Sequence, residues 1–144
     1  MKNLFFIILM LPLCLLAQVD TAQTLVIDTV LRVYDGDTFY ANIANLPPIF
    51  GKNIGIRLKG VDTPEMSGVD SCNTALAKAA KIYLDKRLRA TCIRIVLKNL
   101  ERDKYFRIDA DVYVNGVNIN QEMVTKGFAK LYTGDGPKPK YTCK

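Results

Sequence analysis

No histidine occurs anywhere in the 144 residues, and that one gap removes whole mechanisms. A Ser-His-Asp triad, a Cys-His pair and every imidazole-based phosphodiesterase scheme are excluded. Cysteine is scarce as well: Cys14, Cys72, Cys92 and Cys143 stand at spacings that fit no zinc pattern, and no histidine exists to complete one. Long apolar runs are missing beyond residue 17, and even the one before it is shorter than the ~20 residues that a membrane span needs. There is no internal repeat and no low-complexity tract. Proline and glycine crowd together only at 46–51 and 134–139, and neither stretch reads as an interdomain linker. Any hydrolytic chemistry in this chain must therefore rest on carboxylates, arginines and a metal held by oxygen.

What is present begins with Lys2, the apolar run 4–16 and the small residue Ala17, followed directly by polar Gln18, Asp20, Thr21 and Gln23. This order is that of a secretory signal peptide over 1–17. It leaves 18–144 as one domain, secreted or periplasmic, with no stable membrane association after cleavage and the size of a monomeric single core. The net charge of +6 favours a polyanionic partner. Cleavage would leave three cysteines, an odd count, so one stays unpaired, while export makes a disulfide plausible among the rest. Cys72–Cys143 is the expected pair, because a tail gains most from being tied down. Cys72–Cys92 and Cys92–Cys143 are the alternatives.

Patterning predicts five short strands. The β-branched residues Val26, Ile27, Thr29, Val30 and Val33 mark the first, over 24–34, ended by the Asp35-Gly36 turn signal. The second runs over 38–43. After the Pro47-Pro48 insert at 46–53, which suggests a stiff turn, Ile54, Ile56 and Leu58 alternate with Gly55, Arg57 and Lys59. A helix is expected over 72–88, with Ser71 as cap and Ala75, Leu76, Ala79, Ala80, Ile82 and Tyr83 at helical spacing. Strands at 92–97 and 106–114 follow. A short helix over 120–126 comes last, capped by Asn120 and stopped by Gly127. Three strands, a helix, two strands and a helix suit a mainly β, α+β domain: either a five-stranded OB-fold barrel with two helices or a curled sheet.

Four segments carry chemistry: Tyr34-Asp35-Gly36-Asp37-Thr38, then Arg57, then Val61-Asp62-Thr63-Pro64-Glu65, then Asp103-Lys104-Tyr105-Phe106-Arg107. Each alone has a plain reading as a turn, a helix entry or a solvated strand residue. Together they supply phosphodiester hydrolysis without histidine. Asp37 and Asp62 offer hard oxygen ligands that a backbone carbonyl and waters can complete around Ca2+ or Mg2+. Glu65 can take a proton from an attacking water, and Arg57 and Arg107 can fork onto a phosphate.

In this combination the chain resembles the staphylococcal nuclease, or thermonuclease, family over residues 26–131. The resemblance implies a secreted, Ca2+-dependent phosphodiesterase, an endonuclease cutting DNA or RNA and leaving 3′-phosphate ends. Its catalytic residues would be Arg57, Glu65 and Arg107, and its metal ligands Asp37, Asp62 and the backbone oxygen of Thr63. Lys104 and Tyr105 would bind substrate, and Asp35 would sit behind the ligands. The alternative is a non-catalytic OB-fold module that binds nucleic acid. Three departures stand out: Phe106 replaces a glycine before the arginine, which predicts a different backbone path there; the 46–53 insert is proline-rich; and a third, C-terminal helix is not expected. Tyr132 is a candidate to stack on a base.

Overall fold

The computed structural model describes residues 23–66 and 71–142; the expected leader and Cys143 lie outside them. The strands are β1 (Leu25–Val33), β2 (Thr38–Ile43), β3 (Ile54–Leu58), β4 (Val61–Asp62), β5 (Ile95–Arg102), β6 (Ile108–Val114), β7 (Val117–Asn118) and β8 (Lys130–Leu131). The helices are α1 (Pro48–Gly51), α2 (Ser71–Leu88) and α3 (Ile119–Thr125).

Strands β3-β2-β1-β5-β6 pair antiparallel in that order, and a parallel pairing of β3 with β6 through Ile56↔Ile108, Arg57↔Asp109 and Leu58↔Ala110 closes the ring. The result is a five-stranded mixed barrel of the OB type, in which closure leaves no sheet edge exposed. Two register shifts in β1, between Ile27 and Thr29 and between Val30 and Arg32, bend that strand so that it pairs with both β2 and β5. Alternation places Phe39, Ala41, Ile56, Leu58, Leu97, Ala110 and Val112 inside the barrel with no exposed surface. Arg57, on the opposite face of β3, stays half-buried.

The expected elements are all found, with shifted bounds. The fourth strand runs over 95–102 rather than 92–97, and the fifth begins at Ile108, because a turn at 103–106 occupies the residues between. The proline-rich insert holds a third helix, α1, since Pro48 at its first position is preset for helical φ. Helix α2 starts at Ser71 itself, so Ser71 is not its cap. Its buried residues are Ala77, Ala80, Leu84 and Leu88, whereas Ala75, Ala79 and Ile82 face outward. Apolar residues surround this helix almost completely, and contact with the barrel selects the face.

Helix α3 is capped two residues earlier than expected, by Asn118, whose side chain accepts from the Gln121 N–H at 3.0 Å. Asn120 is instead buried. Its Oδ1 accepts from Val112 N at 2.9 Å, and its Nδ2 donates to Lys59 O at 2.9 Å and Ala110 O at 3.0 Å. One side chain thus satisfies three main-chain groups where β3, β6 and α3 meet. Among the described residues Cys72 is disulfide-bonded and Cys92 is a free, exposed thiol, which rules out both alternatives. No helix among the described residues is long and apolar enough to cross a membrane.

Candidate active site

The loop joining β1 to β2 turns within 34–37 because Tyr34 N–H and Asp35 N–H both donate to the Thr38 carbonyl, at 2.9 and 3.3 Å. Asp35 Oδ1 takes the Asp37 N–H at 3.1 Å, and this aims the Asp37 carboxylate inward. Gly36 is required there for room rather than for a left-handed turn. A Cβ on it would lie 2.8 Å from the Ala80 Cβ and 2.8 Å from the Thr63 Oγ1. The loop, helix α2 and Thr63 are thereby held in contact.

Asp62 ends the two-residue strand β4, which pairs with β8 through Val61↔Leu131 and Asp62↔Lys130. The chain that returns from α3 therefore fixes it. Asp37 and Asp62 are 3% and 2% exposed, and Arg57 spans them. Its Nη1 donates to Asp37 Oδ1 at 2.9 Å, while its Nη2 donates to Val61 O at 3.2 Å and stands 3.8 Å from Asp62 Oδ1. Thr38 Oγ1 donates to the same Asp37 oxygen at 2.9 Å and accepts from Arg107 Nη1 at 3.4 Å. Asp37, Thr38, Arg57, Asp62 and Arg107 thus form one connected cluster, with buried Thr63 beside it.

Burial pushes both carboxyls up, Asp37 to about 7 and against the opposing pull of Arg57, Asp62 against Lys138 and Arg57. Two buried carboxylates that resist ionisation beside an arginine make a site short of positive charge. All of its donors are oxygens. No group of three or more histidine, cysteine, aspartate or glutamate side chains forms a metal cage among the described residues. The two aspartates with main-chain oxygen and waters nevertheless fit a hard divalent cation, which needs few protein ligands.

Glu65 is exposed and lines a depression of about 250 Å³ with Tyr34, Asp35 and Met66. A second cleft of about 220 Å³ has Arg57, Lys59, Asp109 and Tyr132 in its wall. The Tyr132 hydroxyl is tied to the Gly134 and Gly136 carbonyls. Arg107 is gripped by Asp103, whose Oδ2 accepts from Nε at 2.7 Å and whose Oδ1 accepts from the Arg107 N–H at 2.9 Å. These bonds hold the Asp103 carboxyl below its usual range, against the effect of burial. Gly55 makes space for the stem of Arg107, because a Cβ there would stand 2.9 Å from the Arg107 Cγ. Phe106 takes φ 67°, the left-handed conformation that a glycine adopts freely, so the backbone keeps the glycine path that its sequence argues against. Lys104 and Tyr105 lie farther out on this turn. Lys104 Nζ and Arg107 Cζ stand 5.2 and 5.4 Å from the Tyr105 ring centroid.

Sequence reading missed the far end of the chain. Lys138 Nζ pairs with Glu65 Oε1 and stands 3.5 Å from Asp62 Oδ1, and the Tyr141 hydroxyl donates to Asp62 O. Burial and the Asp62 charge push the Tyr141 hydroxyl up to about 12. Seventy-odd residues separate these partners, and no local pattern signals such a contact.

The family model described as staphylococcal nuclease homologue matches residues 55–143. An uncharacterized 38.1 kDa protein of Capnoides sempervirens is 32% identical over 83% of this chain and 31% of its own length. An endonuclease of Bacillus subtilis is 31% identical over 78% of this chain and 51% of its own. The thermonuclease of Staphylococcus hyicus is 29% identical over 70% of this chain and 56% of its own. The chain spans less than two thirds of the length of each of these relatives. The matched segment holds Arg57, Asp62, Glu65, Lys104 and Arg107 on a closed five-stranded barrel, and the chain belongs to the staphylococcal nuclease family.

Proposed function

We propose that this chain is an exported, divalent-cation-dependent nuclease that hydrolyses phosphodiester bonds in DNA or RNA. The observation that carries the reading is the pair of buried carboxylates, Asp37 and Asp62, spanned by Arg57 and connected through Thr38 to Arg107, with Glu65 exposed beside them. The relatives named thermonuclease and endonuclease support it.

Asp37, Asp62 and the Thr63 main-chain oxygen would hold the cation, with Ca2+ as the ion that the family implies. When bound, it supplies positive charge to a phosphoryl oxygen. Glu65 accepts the proton of the attacking water. The water oxygen bonds to phosphorus as the P–O5′ bond breaks, and the departing O5′ takes a proton from solvent, leaving a 3′ phosphate and a 5′ hydroxyl. Arg57 and Arg107 retain N–H groups beyond those engaged with Asp37, Val61, Thr38 and Asp103, and direct them at the phosphate. Lys104 and Tyr105 bind the strand beyond the scissile bond.

Digestion of plasmid, single-stranded DNA and RNA with Ca2+, Mg2+ or chelator tests the reading. Cleavage that chelator stops, with ends that a polymerase extends only after phosphatase treatment, is the expected result. Binding without cleavage under every ion would leave only a nucleic-acid-binding module. Export rests on Lys2, the apolar run and Ala17, and a mature N-terminus that still begins at Met1 would refute it.

A further inference from the structure

The turn between β5 and β6 contains a side chain that its backbone disfavours. Phe106 N–H donates to the Asp103 carbonyl at 3.2 Å, Asp103 Oδ1 accepts from Tyr105 N–H at 2.8 Å, and the chain enters β6 with Phe106 at φ 67°. Glycine would make the same turn without strain, and a bulky residue there is an outlier. Phe106 gains no core packing in exchange: its residue surface is 65% exposed, and it lies outside the hydrophobic core cluster. Arg102 instead lays its guanidinium on the ring, with Cζ 3.9 Å from the centroid, and its Nη1 donates to the Phe106 carbonyl at 3.4 Å. The neighbouring Tyr105, 68% exposed, carries Lys104 and Arg107 against its own ring. Strain without packing return, one residue from Arg107, marks a ligand contact. An exposed ring with a guanidinium on one face, beside a second ring that carries two more cations, suits a flat, aromatic group carried on a polyanion.

We propose that Phe106 is a nucleobase-stacking residue, against which an unpaired base of the substrate strand lies while Arg102 and Lys104 face its phosphates. This rests on the nucleic-acid reading above. A base inside a duplex has no free face to offer, so the contact selects single-stranded or frayed substrate.

The test is equilibrium binding of fluorescein-labelled decathymidylate, and of the same backbone with every base removed, to the full chain under chelator. Wild type is expected to bind the base-bearing strand more tightly than the abasic one. Phe106→Gly should lose about 5- to 100-fold for the base-bearing strand and little for the abasic one. The same variant should melt at a higher temperature, since the turn is relieved of its strain. Phe106→Tyr should bind as wild type does. If Phe106→Gly binds both strands as tightly as wild type, stacking is overturned while the nucleic-acid reading stands. If wild type binds neither strand, both are overturned.

Discussion

Glu65 and Asp37 carry the same functional group, and their surroundings give them different work. The Glu65 side chain is 60% exposed and pairs with the half-exposed Lys138, whereas Asp37 is enclosed and bonded to Arg57 and Thr38. Glu65→Gln keeps the size and removes the basic oxygen. The folded variant should cut DNA about 10²- to 10⁴-fold more slowly at saturating Ca2+, with unchanged circular dichroism. Cleavage within about threefold of wild type would return the 62–65 segment to a simple turn. Asp37 makes a pH prediction. Its folded carboxyl is raised to about 7 from an ordinary 3.8, so the folded state holds its proton more tightly than the unfolded one. Its contribution to stability is therefore largest below about pH 4, is lost as pH rises to about 7, and stays lost above that. Urea midpoints in chelator should fall across that window, and the fall should be smaller in Asp37→Asn. An identical slope in the two proteins would show that Asp37 ionises freely.

At the scale of elements, the barrel strands were legible where inward and outward residues alternate, as Ile108, Ala110, Val112 and Val114 do with their neighbours in β6. The face of α2 was not legible, since alanines all round the helix give no preferred side until the barrel supplies one. Asn120 shows the same limit in one residue. An asparagine ahead of a helical stretch reads as a cap, and only the packing of α3 on β6 reveals three buried main-chain partners. Asn120→Ala should lower stability by about 2–3 kcal/mol, more than the ~1 kcal/mol that a lost cap costs, because Val112 N–H and the Ala110 and Lys59 carbonyls are left behind. Chemical denaturation with an unchanged m-value measures it.

Across the whole molecule, the last ten described residues cross to the far end of the site, where Lys138 adds a positive charge 3.5 Å from Asp62 and against Glu65. In the proposed reading, a divalent ion held by Asp37 and Asp62 would meet that charge. Lys138→Ala should tighten Ca2+ binding by about three- to tenfold at low salt, with a smaller gain at 0.5 M salt, where a half-exposed charge is screened. Calorimetric titration at the two ionic strengths checks this, and weaker binding in the variant would show that Lys138 supports the site.

By itself the sequence determined the chemistry available to this protein. Without histidine, only carboxylates, arginines and oxygen donors remain, and the order of its strand and helix patterns fits a small barrel. Local pattern reaches that far because alternation and turn residues act over a few neighbours. Tertiary structure alone decided the choice between a barrel and a curled sheet, through the β3–β6 pairing. It also decided the glycine-like path of Phe106, the room that Gly36 and Gly55 leave for Thr63 and Arg107, and the reach of Lys138 and Tyr141 to Asp62 and Glu65. All of these but the Phe106 turn are contacts between residues far apart in the chain, and their energy exists only once the barrel has closed.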